Sequence, residues 1–184
     1  NVTIMKEEME DSMNEAIKNM LDRRSIRKYE DRPLEKEDLE TILDCAIHAP
    51  TAMNRQARRF TVLTDAEQIQ EFAAIMGKAM GRDDYDLYHA PCLIIVSVPK
   101  DLANGAVDTG CAMENILLAA HAVGVGACWI NQLKDLYDEE NVRVALNKFD
   151  IPADHMAWAM ATLGYPAEEP SPKERTETIH YVEA

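Results

Sequence analysis

The sequence predicts a single α+β domain in which helices pack against buried strands, and three observations support this. Apolar residues recur at helical spacing in segments 9–21, 39–47 and 108–123. Short runs rich in strand-forming or apolar residues lie at 59–64, 92–98, 127–130 and 156–163. The chain has 184 residues, of which 47% are hydrophobic, so it can bury one sizeable core. We therefore expect one domain over residues 1–184.

The ends of the first two helices follow from where the apolar period stops. In the first helix the apolar positions are Met9, Met13, Ile17, Met20 and Leu21. That period ends just before Arg23 and Arg24, and we expect residues 1–8 to form a flexible arm ahead of it. The second helix must stop before Pro50, because a proline disfavours helical geometry at the residue that precedes it.

The strand-forming runs alternate with further helices. Asp65 follows the run 59–64, and its carboxylate can cap the next helix by accepting backbone N–H groups. The run 92–98 (CLIIVSV) is almost wholly apolar and bounded by prolines, which is typical of a buried central strand. A helix is expected over 139–149 and a last strand over 176–182.

The segment 108–123 predicts a helix that is apolar nearly all round and is closed by Gly124. Such a helix needs cover on several sides. A subunit interface would supply that cover, and so would a central position in the core of one chain. The sequence pattern alone leaves both interpretations open.

Composition argues against several classes of protein. The net charge is −14, with 33 acidic and 19 basic residues, so a general nucleic-acid or anionic-membrane surface is not expected. No apolar run approaches the roughly 20 residues that span a bilayer, and no secretory signal opens the chain, so we expect a cytoplasmic protein. The cysteines form no CxxC pair and are expected to be buried free thiols, and the histidines show no spacing typical of a metal site.

Basic residues are crowded into one stretch of this acidic chain. The segment RRSIRKY brings Arg23, Arg24, Arg27 and Lys28 together around Ser25. Guanidinium forks and a hydroxyl are suited to phosphate recognition. The simpler alternative is that cations near a helix C-terminus offset its macrodipole. The segment alone does not decide between them.

Two further segments are candidates for binding. The loop Pro50 to Gln56 follows a helix, and its Asn and Gln amides could recognise donors and acceptors on a heterocycle edge. The segment 172–175 (PKER) adds cations near the C-terminus, although a solvated tail is the simpler interpretation. Gly124 and Gly126 do not form a Rossmann motif, because the third glycine is absent and a strand follows. No nucleophile signature is present, as expected where a cofactor carries the chemistry.

Taken together, these motifs resemble the nitroreductase family. The resemblance rests on RRSIRKY, APTAMNRQ, AP before LIIVSV, DTGCAMENILLAAHAVGVGACWI and LGYPAEEPSPKER, in the order typical of that family. It covers the chain from about Leu21 to the C-terminus. It implies an α/β/α sandwich with a mixed sheet and an intertwined homodimer, in which the C-terminal extension 165–184 embraces the partner. It also implies FMN as cofactor and NAD(P)H as electron donor.

Site residues are carried over from the family motif by motif. Arg23, Ser25, Lys173 and Arg175 match residues that hold the FMN phosphate and ribityl region, and we include Arg24 beside them. Arg27 matches the basic residue at the flavin pyrimidine edge, where a cation stabilises the reduced anion. The remaining matches fall in two places. A loop that the family supplies from the opposite subunit is matched by Pro50, Thr51, Ala52 and Asn54, and we include the neighbouring Gln56 amide. A strand end beside the flavin is matched by Trp129, Ile130 and Asn131.

The resemblance implies electron transfer from NAD(P)H, by a ping-pong cycle, to a small acceptor such as a nitroaromatic or a quinone. The backbone N–H of Asn131 is expected near flavin N5, and no side chain is assigned as catalytic. Three residues depart from the common pattern, Ala52, Ala57 and Gln132, and segment 76–89 lacks the Asn and Lys that some members place beside the flavin. The alternatives are reductive dehalogenation, flavin fragmentation, a non-catalytic FMN-binding protein, or an acidic interaction protein without a cofactor.

Overall fold

The computed structural model describes residues 14–182 and forms an α/β/α sandwich. A four-stranded sheet separates two layers of helices. Its strands are β1 (Arg59–Leu63), β2 (Cys92–Pro99), β3 (Gly126–Ile130) and β4 (His155–Gly164). They lie in the order β1-β2-β4-β3, and each adjacent pair is antiparallel.

Helices cover both faces of this sheet. They are α1 (Glu15–Asp22), α2 (Lys36–Ile47), α3 (Ala66–Met80), α4 (Gly105–Ala122), α5 (Leu133–Leu136) and α6 (Glu140–Lys148). Two short 3-10 turns, Ala52–Asn54 and Leu87–His89, lie in the loops. The helices α2 and α4 pack on one face, and α3, α5 and α6 pack on the other.

Strand β2 explains the two-sided core. Leu93 and Ile95 point into the core under α3, whereas Ile94 and Val96 point into the core under α4. All four side chains are fully buried, because strand residues alternate between the faces of a sheet and both faces are covered here. The prediction of a buried central strand is therefore confirmed.

Most predicted boundaries are confirmed to within a few residues. Helix α1 ends at Asp22, α2 stops before Pro50, and Asp65 caps α3 by accepting the N–H groups of Glu67 and Gln68 at 2.9 and 3.2 Å. The long apolar helix begins at Gly105 rather than at Asp108. The predicted arm over residues 1–8, together with Met9 and Met13, lies outside the described residues.

Three expectations need correction. The last strand, predicted over 176–182, is wrong: this segment forms no strand and its side chains are exposed, because no strand of the described chain pairs with it. The sheet was expected to be mixed, whereas its four strands are antiparallel and the parallel pairing is an isolated bridge between Ser25 and Ala127. All four cysteines are free, but Cys45 is exposed and Cys111 half-buried.

Candidate functional site

The basic segment after α1 crosses the end of the sheet at two paired glycines. Gly126 on β3 and Gly164 on β4 face each other in the strand register. A Cβ atom on Gly126 would lie 2.8 Å from Ile26, and one on Gly164 would lie 2.9 Å from the Tyr29 ring. The segment can therefore approach the strands closely because neither glycine carries a side chain.

Hydrogen bonds fix the segment in this position. The N–H of Ile26 donates to the carbonyl of Ala127 at 3.0 Å. The Tyr29 hydroxyl donates to the carbonyl of Ile26 at 2.7 Å and lies 2.9 Å from Oγ1 of Thr162 on β4. Burial raises the pKa of Tyr29 well above its usual value, so the hydroxyl remains a donor. The backbone that carries Arg27 is thus tied to both β3 and β4.

The same segment holds the C-terminal extension. The N–H of Glu30 donates to the carbonyl of Tyr165 at 2.8 Å, and the N–H of Ala167 donates to the carbonyl of Lys28 at 2.9 Å. Beyond these bonds, Oε1 of Glu168 accepts the backbone N–H of Arg27 at 2.6 Å. The chain after residue 168 therefore starts alongside the basic segment.

These contacts create a cavity of about 370 Å³ at the end of the sheet. Both predicted basic segments line it, and they come from opposite ends of the chain. We call it the basic cavity, and its lining residues are Arg23, Arg24, Ser25, Arg27, Glu168, Pro170, Ser171, Lys173 and Arg175. The structure thus brings together six residues that were predicted separately from two motifs.

Arg24 also contacts the end of the preceding helix. Its Nη1 donates to the carbonyls of Leu21 at 2.6 Å and Arg23 at 2.7 Å. These carbonyls lie at the C-terminus of α1, where helical backbone acceptors have no partner in the helix. The helix-end interpretation of the basic segment therefore fits Arg24, while the same side chain still borders the basic cavity.

The predicted loop Pro50 to Gln56 does not line the basic cavity of its own chain. It forms an exposed turn in which Met53, Asn54 and Gln56 have left-handed φ angles of 55°, 53° and 51°. The turn is closed by local hydrogen bonds. Oγ1 of Thr51 accepts the N–H of Gln56 at 3.1 Å, and the Gln56 amide donates to Oδ1 of Asn54 at the same distance of 3.1 Å.

Two residues that the sequence analysis missed hold this loop. Oδ1 of the buried Asp108 accepts the N–H of Ala52 at 2.9 Å. The Arg58 guanidinium donates to the carbonyls of Ala49 at 2.6 Å and Asp108 at 3.1 Å, and burial lowers its pKa. No motif in the sequence marks either residue, because Arg58 lies just before a strand-like run and Asp108 lies at the start of an apolar helix.

The predicted strand end lies at the end of β3. Ile130 is buried, whereas Asn131 lies just beyond the strand and is exposed. The indole N–H of Trp129 is buried and has no hydrogen-bond partner within residues 14–182. Beside it, burial raises the pKa of the Cys128 thiol, although the nearby Arg27 acts in the opposite direction. The strand end thus places the apolar residues Trp129 and Ile130 directly before the exposed Asn131.

Residues 14–182 contain neither a cluster of metal-ligating side chains nor a membrane-spanning helix. No group of three or more His, Cys, Asp or Glu side chains in this part of the chain could hold a metal ion. Likewise, none of the helices between residues 14 and 182 combines the length and apolar character needed to cross a membrane.

The fold and the site define an α/β/α sandwich protein with a basic cavity at the end of its sheet. Comparison with known proteins agrees with this class. The model of the nitroreductase family matches residues 20–165. A protein of Archaeoglobus fulgidus, named as a candidate NADH dehydrogenase/NAD(P)H nitroreductase, is 34% identical over 85% of this chain and 88% of its own length.

Two further relatives are similarly close. A protein of Methanothermobacter thermautotrophicus with the same name is 35% identical over 87% of this chain and 80% of its own. The solved structure of a nitroreductase with bound FMN from Bacteroides fragilis is 34% identical, has a TM-score of 0.83, and covers 93% of this chain and 100% of its own. The chain belongs to the nitroreductase family, as its motifs predicted.

Proposed function

We propose that this protein is an FMN-dependent oxidoreductase that takes electrons from NAD(P)H and passes them to small acceptors such as nitroaromatics or quinones. The observation that carries the proposal is the basic cavity, in which cations from both ends of the chain meet. The related nitroreductase from Bacteroides fragilis was solved with FMN bound, which supports the same cofactor here.

The residues of the basic cavity fit the phosphate of FMN. Five cationic side chains and one carboxylate line the cavity, in a chain whose net charge is −14. Guanidinium groups bind phosphate oxygens through paired charge-assisted hydrogen bonds, and the Ser25 hydroxyl adds a further donor. We assign the phosphate and ribityl contacts to Arg23, Arg24, Ser25, Lys173 and Arg175.

Other residues of the chain would act on the isoalloxazine ring. When bound, FMN supplies the hydride chemistry. Arg27 would stabilise the negative charge that develops at N1 and O2 on reduction, because a preorganised cation is most effective where charge appears. Trp129 and Ile130 would provide an apolar neighbour for the ring, and the backbone N–H of Asn131 would donate toward N5.

The proposal includes a homodimer, in which each subunit supplies its loop Pro50 to Gln56 to the partner's site. Three observations support it. The loop does not line the basic cavity of its own chain. Large apolar side chains around α4 are more than half exposed: Ile17, Met20, Leu21, Ile47 and Val107. The segment 176–182 is rich in strand-forming residues yet pairs with no strand of its own chain within residues 14–182. A second copy of the chain would give the loop a basic cavity to line, bury the exposed apolar side chains and offer a strand to segment 176–182.

We further propose a ping-pong cycle in the cytoplasm. The sequence has no Rossmann motif, so the nicotinamide and the acceptor would use the same face of the flavin in turn. The free cysteines are consistent with a reducing compartment. Steady-state rates with NAD(P)H and either nitrofurazone or menadione test this mechanism, and we expect parallel lines in double-reciprocal plots.

Other outcomes of that assay would assign a different function. Intersecting lines would exclude the ping-pong cycle. Release of halide from a halogenated substrate, or loss of the flavin chromophore, would indicate dehalogenation or flavin fragmentation on the same fold. A flavin-loaded protein that turns over neither acceptor, and is not reduced by NAD(P)H, would be a binding protein rather than an enzyme.

A further inference from the structure

The turn Leu87–His89 has an unusual backbone. Leu87, Tyr88 and His89 have φ angles of 51°, 61° and 49°, so three consecutive residues other than glycine are left-handed. Side chains with a Cβ atom rarely adopt this conformation, because Cβ approaches the following carbonyl oxygen. A conformation of this kind persists where the surrounding structure holds it in place.

The surrounding contacts do hold this turn. Oδ1 of Asp86 accepts the N–H of Tyr88 at 2.8 Å, and Oδ2 lies 3.3 Å from Nε2 of His89. The Gln70 amide on α3 donates to the carbonyl of Asp86 at 3.1 Å. The Leu87 side chain is fully buried in the core on that face of the sheet. The turn is therefore anchored from α3 and from the core.

The result is that Tyr88 lies beside Arg27. The guanidinium carbon of Arg27 is 6.0 Å from the centre of the Tyr88 ring, a distance at which a cation is attracted to an aromatic face. Tyr88 and Ile130, at the end of β3, also line one small cavity of about 60 Å³. The turn thus lies between the basic segment and the strand end that we assign to the flavin.

We propose that Tyr88 is a positioning residue, which directs the Arg27 guanidinium toward the pyrimidine edge of the flavin. This inference rests on the proposed function. Arg27 is an exposed side chain whose backbone is held by Glu168, so its guanidinium needs a second contact to keep one direction. Tyr88 supplies that contact from segment 76–89. Because the Tyr88 ring contacts the Arg27 guanidinium, its influence on the reduced flavin passes through Arg27.

The test measures the ratio of reduced to oxidised flavin at fixed potentials, by dye-linked titration of the FMN-loaded protein. Loss of an exposed cation–ring contact corresponds to about a 2- to 5-fold change in such a ratio. We expect Tyr88→Leu to lower the ratio by that factor and Tyr88→Phe, which keeps the ring, to leave it unchanged. The FMN affinity of both variants should equal that of the wild type, since the phosphate contacts are elsewhere.

A double-mutant cycle separates positioning from a general structural effect. In the Arg27→Ala background, Tyr88→Leu should have no further effect on the ratio. The matched control is Tyr137→Leu, which removes a ring 5.6 Å from the Lys100 ammonium group, in a contact outside the proposed site, and should not change the ratio.

Four results would overturn the inference. If Tyr88→Leu changes the ratio equally in the wild type and in Arg27→Ala, Tyr88 does not act through Arg27. The same conclusion follows if Tyr88→Leu leaves the ratio unchanged while Arg27→Ala lowers it. If Arg27→Ala does not change the ratio, the proposed roles of Arg27 and Tyr88 are both wrong, but the proposal that the protein binds FMN is unaffected. If the wild type takes up no FMN, the proposed function falls as well.

Discussion

Glu168 and Arg27 are joined by a hydrogen bond of 2.6 Å, in which the backbone N–H of Arg27 donates to the Glu168 carboxylate. This bond connects the two segments that line the basic cavity, which come from opposite ends of the sequence. It also places a negative charge where we assign a phosphate. Glu168 therefore has two opposing effects on an anionic ligand, since it assembles the cavity and repels the phosphate.

Two substitutions separate these effects. Glu168→Gln keeps an oxygen that can accept the Arg27 N–H but removes the charge, so we expect tighter FMN binding. Glu168→Ala removes the acceptor as well, and should bind FMN more weakly than Glu168→Gln by about 0.5 to 1.5 kcal/mol. Fluorescence titration of the apoprotein with FMN measures both affinities. Equal affinities for the two variants would mean that the bond does not assemble the cavity.

Arg27→Ala should make the flavin harder to reduce. The substitution removes the cation that we place beside N1 and O2, where negative charge develops on reduction. A charge-assisted hydrogen bond contributes about 1.5 to 3 kcal/mol, so the reduction midpoint should fall measurably. Arg27→Lys, which keeps the charge, serves as the control. An unchanged midpoint in a variant that still holds FMN would remove Arg27 from the site.

The C-terminal extension should contribute to FMN binding and to dimerisation through different residues. Lys173→Ala with Arg175→Ala should weaken FMN binding, each contact contributing about 1.5 to 3 kcal/mol, and leave the dimer intact. Truncation after Pro170 should in addition weaken the dimer, because it removes the unpaired segment 176–182. Gel filtration and FMN titration distinguish the two variants. A truncated chain that stays dimeric and saturated with FMN would identify the extension as a solvated tail.

Mixed dimers test whether the loop acts on the partner's site. One chain carries Arg23→Ala with Arg175→Ala and has a defective basic cavity; the other carries Thr51→Ala with Asn54→Ala and has a defective loop. Each homodimer should reduce menadione poorly. The heterodimer should regain about half of the wild-type activity, because one of its two sites combines an intact cavity with an intact loop. Activity no higher than that of the homodimers would assign the loop to its own chain.

Much of the fold could be predicted from the sequence because local patterns agree with tertiary burial. The run that became β2 is apolar at nearly every position that the two helical layers cover, and Asp65 and Pro50 mark helix boundaries by backbone chemistry. The segment 176–182 shows the limit of such patterns. Strand-forming residues indicate a strand only where another strand offers its backbone groups, and no strand in the described part of the chain does so.

The candidate site was predictable only in part, for a related physical reason. The basic segments were evident because cations stand out in an acidic chain. Glu168, Asp108 and Tyr88 act through contacts with residues distant in sequence, and each lies in a segment where its residue type is ordinary. The left-handed turn that carries Tyr88 contains no glycine, so the usual signal for that conformation is absent.

The central claim is that the chain binds FMN and that NAD(P)H reduces it. The visible spectrum of the purified protein, incubated with FMN and freed of excess, tests this claim most directly when recorded before and after anaerobic addition of NADPH or NADH. We predict a yellow protein whose flavin absorbance is bleached by one of the two donors and recovers on addition of menadione. A protein that stays colourless, or a yellow protein that neither donor bleaches, would contradict the account.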